Sequence, residues 1–285
     1  MATRPLRFLV LGNGEKPSVP EQADLLCRKI ESAGASVEIL DLSGDRSIEG
    51  HRGDIALVLG GDGAILRAAH QMGEHQVPVL GINLGRLGFL AEIGPDEIED
   101  ALPILLAGQH QVSRHVMLDC TTRSADGKET FPVLNEVVIS AGPPFRITGI
   151  ELSIDEEPVT TFFGDGLILS TPIGSTAHNL AAGGAILRQT LPAVVITPIC
   201  PHALTFRPLV ESSDRVFALR CPNPSEGATL IIDGFLQFPM KPIDEVIVER
   251  SKVDFQLARI PGKSYYRTLT TKLAWGSSHD GSVGR

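Results

Sequence analysis

The stretch Ile55-Ala56-Leu57-Val58-Leu59-Gly60-Gly61-Asp62-Gly63-Ala64-Ile65-Leu66-Arg67-Ala68-Ala69 decides the fold. Its first five residues form an unbroken apolar run of strand length, ended by a glycine-rich turn. Beyond the turn, Ile65, Leu66, Ala69 and Met72 recur at helical spacing until Gly73. A buried strand that runs into a glycine turn and then a helix is a unit of layered α/β domains. In open sheets of that kind, ligands sit beyond the carboxyl ends of the strands. Glycine amides can approach phosphate oxygens there, and the helix N-terminus adds positive potential. Gly60 and Gly61 are therefore candidate phosphate contacts. Asp62 puts a carboxylate beside them, able to orient or deprotonate a hydroxyl or to hold a metal. Aspartate also caps helices, and glycine suits a tight turn, so spacing alone leaves both readings open.

Working outward, Leu6–Leu11 reads as a buried strand ended by Gly12-Asn13-Gly14. Pro20 is expected at the first position of a helix whose apolar face is Ala23, Leu26, Ile30 and Ala33, with Gly34 as its stop. Val37–Leu40 and Val77–Ile82 are further strands, and Asp96–Ala107 a helix closed by Gly108. Strands separated by helices imply parallel pairing. After about residue 110 strand patterns dominate: Val116–Thr122, an Asp126-Gly127 hairpin turn, Val133–Ser140, and Ile150, Leu152 and Ile154 in alternation. Gly166–Ser170, Ala193–Thr197, Val216–Leu219, Thr229–Ile232, Val246–Val248 and Phe255–Leu257 continue the pattern. A short helix is expected from Ser175 to about Ala182, and a helical tail over Lys263–Trp275. The expected division is an α/β domain over 1–110, a β-rich domain over 111–262, and a tail over 263–285 that returns to the first domain.

Composition excludes several classes. Of 285 residues, 42% are hydrophobic and 21% charged, enough to bury a core. A net charge of −9 with no basic run argues against nucleic acid, whose binding feeds on lysine and arginine contacts to phosphate. Cys27, Cys120, Cys200 and Cys221 lie far apart, giving neither a zinc framework nor a disulfide scaffold. With no signal-peptide pattern and no apolar stretch of spanning length, the expectation is a cytoplasmic protein without membrane contact.

Other nucleotide motifs fail. Gly12-Asn13-Gly14 meets Pro17 where a dinucleotide fingerprint needs glycine, and no P-loop occurs. A second glycine-rich cluster runs from Gly164-Asp165 through Ser175-Thr176, offering hydroxyls and amides at both ends of a buried strand; Ser175 or Thr176 could equally cap a helix. Asn135-Glu136 is a polar pair inside the expected strand Val133–Ser140, which reads either as at least one member turned toward the interior or an interface or, equally, as a pair facing water on an edge strand.

Together these pieces resemble the NAD kinase family. The matching motifs are GGDG at 60–63, N-x-G-x-L-G-F at 83–89, N-E at 135–136, and D-G-L-I-x-S-T-P-x-G-S-T-A from Asp165 to Ala177. A-G-G at 182–184, the proline- and histidine-containing stretch 201–209, Asp233-Gly234, and Y-x-x-T-L-x-T-K-L-x-W at 265–275 follow in order. The resemblance implies a Rossmann-like α/β domain with a parallel sheet, followed by an all-β domain. It implies phosphorylation of the adenosine ribose 2′-hydroxyl of NAD to give NADP, from ATP or polyphosphate, with magnesium or another divalent metal. Homodimers or homotetramers with sites near subunit boundaries are implied as well.

By the same resemblance Asp62 is the proton acceptor, and Gly63, Arg67, Asn135, Glu136, Arg146 and Asp165 bind substrate. So do Thr176, Ala177, His178, Asn179 and Ala181, the segment that lines the adenine pocket. No residue is singled out as a metal ligand. Four positions depart from the family pattern: Ala64 for a polar residue, Phe163 for arginine, His178 for tyrosine, and Phe235 at an often polar site. A lipid or sugar kinase would share Asp62 but not the Asn135-Glu136 and Ser175-Thr176 series. A nucleotide sensor is the rival those departures suggest.

Overall fold

The computed structural model describes residues 5–43, 47–48, 50–85, 88–124, 127–242 and 244–275. The first part alternates β1 (Arg7–Gly12), α1 (Ser18–Ser32), β2 (Ser36–Asp41), β3 (Ile55–Leu59), α2 (Asp62–Met72) and β4 (Val79–Ile82). It closes with β5 (Ala91–Ile93), a 3₁₀ turn and α3 (Ile98–Leu106). β3 lies between β1 and β4, and all three pair in parallel, as expected for strands joined through helices. All five residues of β3 are buried, because helices cover both faces of the sheet. α1 starts at Ser18, so Pro20 stands at the third helical position, where its missing N–H would have had no helical partner anyway.

The second part is β6 (Gln111–Ser124), β7 (Gly127–Val133), β8 (Glu136–Ser140), β9 (Thr148–Ile154), β10 (Glu157–Gly164) and β11 (Gly166–Ser170). A 3₁₀ turn (Gly174–Thr176) and the short α4 (His178–Ala181) interrupt it. Then come β12 (Ala193–Ile199), β13 (Leu209–Ser212), β14 (Phe217–Arg220), β15 (Thr229–Ile232), β16 (Leu236–Pro239), β17 (Glu245–Arg259) and α5 (Tyr265–Lys272). Six strands form an antiparallel sheet in the order β13-β12-β11-β8-β15-β16. The apolar alternation of β8 and β11 packs Val137, Ile139, Leu167 and Leu169 between this sheet and the other one.

The expected strand Val133–Ser140 is two strands. β7 ends at Val133 in one sheet and β8 begins at Glu136 in the other, so Leu134 and Asn135 form a crossing. Val246–Val248 and Phe255–Leu257, by contrast, belong to the single long strand β17, with a register shift between Arg250 and Asp254. β17 pairs with β6 along most of its length, and Leu257 pairs in parallel with Val79 of β4. One sheet therefore runs through the expected domain boundary at residue 110. β6 and β7 form the expected hairpin; Asp126 of its turn and residues 276–285 of the tail lie outside the described residues. After β17 the chain returns to the first part, where Lys263 pairs with Glu97 and α5 lies beside Gly88–Glu92. No described helix is long and apolar enough to cross a membrane.

Candidate functional site

Asp62 is the first residue of α2, directly beyond β3. Its carboxylate accepts three successive peptide N–H groups: Phe89 on Oδ2 at 2.8 Å, and Leu90 and Ala91 on Oδ1 at 3.0 and 3.1 Å. An ionised carboxylate has about four acceptor positions, so about one stays open, on Oδ2. Gly88 makes this contact possible, because a β-carbon there would lie 1.9 Å from Asp62 Oδ1. Gly60 takes the left-handed φ of +143°, and a β-carbon on it would come within 2.8 Å of the Ala64 methyl. The turn reading holds, but Asp62 does not cap α2. The glycines make the turn, while the Asp62 side chain turns away from its own helix amides to the neighbouring loop.

Gly61 and Gly63 border a cleft of about 340 Å³ whose other walls are Asn13, Lys16, Arg67 and the Asp233–Phe235 turn. The turn that follows β1 brings Lys16 to the edge of this cleft. Arg67 lies 4.8 Å above the Phe235 ring, which also meets His70 edge-on at 4.8 Å. The unusual Phe235 is thus packed by one cation and one imidazole of α2.

The crossing at Leu134–Glu136 is organised by Asp233, which the motif series contained without a role. Asp233 Oδ2 accepts the Leu134 amide at 2.8 Å, and Oδ1 accepts the Asn135 and Glu136 amides at 2.7 and 2.9 Å. His70 Nε2 reaches Oδ2 at 2.7 Å. From the opposite side the Thr171 hydroxyl donates to Leu134 O and the Thr171 amide to Asn135 O. The Asn135 side-chain amide has no hydrogen bond among the described residues.

Glu136 is buried, and its Oε2 has no partner among the described residues. Burial, reinforced by the Asp233 charge, pushes its pKa up to about 8. At neutral pH the group is largely the acid, so it can donate a hydrogen bond as well as accept one.

The segment after β11 is fixed internally. The Ser175 hydroxyl donates to Pro172 O at 2.6 Å and accepts the Leu187 amide, and Thr176 donates to Ile173 O. Asn179 is fully buried, giving its amide hydrogens to Ser175 O and Ala185 O and accepting from Thr197. Its polar capacity serves the fold, so its side chain shapes the Thr176–His178 turn and has no amide hydrogen left for a ligand. Ala177 is half-buried, and His178 and Ala181 are exposed on this turn.

Arg146 and Asp165 are elsewhere. Both are exposed, flanking the Thr148–Gly164 pair at the start of β11, whereas Asn135 and Glu136 adjoin its end at Ser170. The five steps from Asp165 to Ser170 span about 17 Å of extended chain. Asp165 sits beside Cys200, and the hydrogen bond to its carboxylate raises the thiol's pKa. Within one chain, then, the sequence-selected residues form two groups.

An α/β half carrying a glycine-aspartate turn and a β half contributing Asn135-Glu136 is the arrangement of a known family. Residues 12–110 match the family model of the ATP-NAD kinase N-terminal domain, and residues 134–260 that of the ATP-NAD kinase C-terminal domain. A curated NAD kinase of Rhodopirellula baltica is 44% identical over 273 residues, covering 95% of this chain and 88% of its relative. The chain belongs to the NAD kinase family. An NAD kinase of Symbiobacterium thermophilum is 34% identical, with 94% and 99% of the two chains covered.

Among solved structures, an Archaeoglobus fulgidus NAD kinase in complex with ATP superposes with a TM-score of 0.75 at 25% identity, covering 94% of this chain and 99% of its own. Yeast NADH kinase complexed with NADH shares the fold, with a TM-score of 0.86 at 24% identity and coverage of 97% and 89%. These NAD kinase relatives accord with the two-part architecture read from the sequence.

Two outcomes test the site's geometry. Gly88→Ala is expected to push the Asp62 carboxylate off the Phe89–Ala91 amides and lower kcat by about 100-fold, the scale for a 1 Å misplacement; steady-state turnover beside a melting curve checks this. Glu136 has a folded pKa of about 8 against an ordinary 4.5, so the folded chain holds more protons between those values and stability falls as pH rises through them. Glu136→Gln is expected to melt above wild type at pH 9, with the gain shrinking toward pH 5 in a series of thermal scans.

Proposed function

We propose that this chain transfers the terminal phosphoryl group of ATP to the 2′-hydroxyl of the adenosine ribose of NAD, giving NADP and ADP. The observation that carries this reading is the open acceptor position on Asp62 Oδ2, next to the glycine cradle. The ribose oxygen attacks the γ-phosphorus while the bond from that phosphorus to the β–γ bridging oxygen breaks. The hydroxyl proton passes to Asp62 Oδ2.

Phosphoryl transfer asks a protein mainly for alignment and charge stabilisation. Gly61 and Gly63 would bring amides to the triphosphate, with Lys16 and Arg67 as cations at the cleft; the Gly60 amide, a sequence candidate for the same role, is instead given to Ile82 O in the neighbouring strand. Asn135 and Glu136 would hold the adenosine, against the wall formed by Thr176, Ala177 and His178. Polyphosphate would be handled by the same amides and cations.

Among the described residues no three His, Cys, Asp or Glu side chains gather to hold a metal alone. Magnesium would be held chiefly by the triphosphate, as is usual for this ion, and would neutralise phosphate charge.

Arg146 and Asp165 would serve the dinucleotide across a boundary between two copies of the chain. Their separation from Asn135 supports this, as does the apolar surface around them. Phe145, Ile147 and Phe163 are 73%, 58% and 53% exposed, more than an isolated chain needs to leave uncovered in one place. This would also account for the departure at Phe163, an apolar residue at a contact between copies.

The test is NADP formation by the purified protein with NAD, ATP and magnesium, read by an NADP-specific dehydrogenase, with Asp62→Asn alongside. Turnover by wild type and a loss of about 10²- to 10⁴-fold in the variant is the expected result. No NADP from any phosphate donor, by folded protein that binds NAD, would overturn the reading in favour of a sensor.

A further inference from the structure

Asp233 is given no part in the phosphoryl transfer itself, yet its carboxylate is among the most heavily used of the described residues. It is buried and held at a left-handed φ of 48° by the turn between β15 and β16. Four donors converge on it: the amides of Leu134, Asn135 and Glu136, and His70 Nε2. The Asp233 amide returns a bond to Glu136 O at 2.9 Å. Three of the four donors belong to the peptide that Asp233 holds. Only His70 comes from the first domain, and it lies on α2, the helix that begins with Asp62.

We propose that the His70–Asp233 pair is a positioning strut that fixes the distance between the Asp62 end of α2 and the Asn135–Glu136 peptide. This rests on the phosphotransfer reading above for its consequence in catalysis, though not for its geometry.

Three features make the pair a strut as well as a packing contact. The first is stiffness on the α2 side: His70 lies eight residues after Asp62, about 12 Å along a continuous helix. The second is stiffness on the other side. The Leu134–Glu136 amides are satisfied by Asp233, and the carbonyls of Leu134 and Asn135 accept from Thr171, with Glu136 O taking the Asp233 amide. A peptide saturated in this way moves as a body. The third is guidance of the imidazole: the Phe235 ring meets it edge-on at 4.8 Å, and the His70 and Asp233 side chains are 9% and 0% exposed. A hydrogen bond shielded from water to that degree keeps more of its strength than one at the surface.

Removing His70 therefore leaves the Asp233 cradle intact and frees it to shift against α2. Misplacement by 1 Å between reacting groups can cost about 100-fold in rate. The donor contacts proper, Gly61, Gly63, Lys16 and Arg67, all belong to the first domain and keep their places; of the cleft only the Asp233–Phe235 wall moves with the cradle.

The experiment compares His70→Leu, which keeps an apolar contact with Phe235 but has no donor, with His70→Gln, whose side-chain amide can still donate. Full-length protein is assayed for NADP formation with NAD and ATP. Hydrogen exchange is followed in the peptide covering Leu134–Glu136. The expected result for His70→Leu is a kcat about 10- to 100-fold lower, KM for ATP within about twofold of wild type, and faster exchange at those amides. His70→Gln is expected to restore kcat to within about threefold, with wild-type exchange. Wild-type exchange and kcat in His70→Leu would overturn the strut, as would equal losses in both variants, which would mean that the imidazole only fills space. Should wild type make no NADP, the functional reading falls by itself, and the exchange comparison alone decides the strut.

Discussion

The protein depends on one repeated interaction: an aspartate carboxylate set against three consecutive peptide N–H groups. Asp62 takes the amides of Phe89–Ala91, and Asp233 those of Leu134–Glu136. Both runs lie where the chain enters a strand, Phe89–Ala91 leading into the first residue of β5 and Leu134–Glu136 into the first residue of β8, and their amides go to the carboxylates. Leaving such groups dry and unpaired would cost on the order of 1–3 kcal/mol each. The carboxylates remove that cost and gain charge-assisted bonds in return. α2 joins the two cradles, beginning with one aspartate and reaching the other through His70. The site is thereby assembled from two domains by bonds whose first duty is to the fold.

This arrangement explains how a chain of net charge −9 can be suited to polyanionic ligands. Positive potential comes locally, from glycine amides at the start of α2 and from Lys16 and Arg67 around the cleft. Negative charge nearby is limited in turn: Asp62 and Asp233 spend most of their acceptor capacity on amides, and Glu136 keeps its proton up to about pH 8. The four departures from the family pattern find physical neighbours as well. Ala64 packs against Gly60, Phe235 sits between Arg67 and His70, and Phe163 lies over Gly149 on an exposed apolar edge. His178 stands exposed at the start of α4.

Much of this was legible in local pattern. β3, β11 and β15 begin and end where their apolar runs do, because each is buried on both sides or alternates cleanly against the core. β10, β13 and β16 were not read as strands: β13 is a short, exposed edge, and β10 opens with Glu157-Pro158 and leaves most of its residues half-exposed. The break within Val133–Ser140 was hidden because Leu134 and Asn135 carry no glycine or proline; a carboxylate nearly a hundred residues downstream enforces the crossing. Local pattern could show Asp62 beside the glycines, but not the loop that its side chain would meet. Gly88 was visible only as part of a motif, since its need for hydrogen in place of a side chain arises from a contact with a residue 26 positions earlier. Asn179 looked available for a ligand, and burial gave its amide to Ser175 and Ala185.

The most direct test of the account is a crystal structure of the protein with NAD and a non-hydrolysable ATP analogue. The ribose 2′-hydroxyl is predicted about 2.6–3.2 Å from Asp62 Oδ2, with the Phe89–Ala91 amides still on the same carboxylate. A 2′-hydroxyl held by another group, or an Asp62 side chain turned away from those amides, would contradict it.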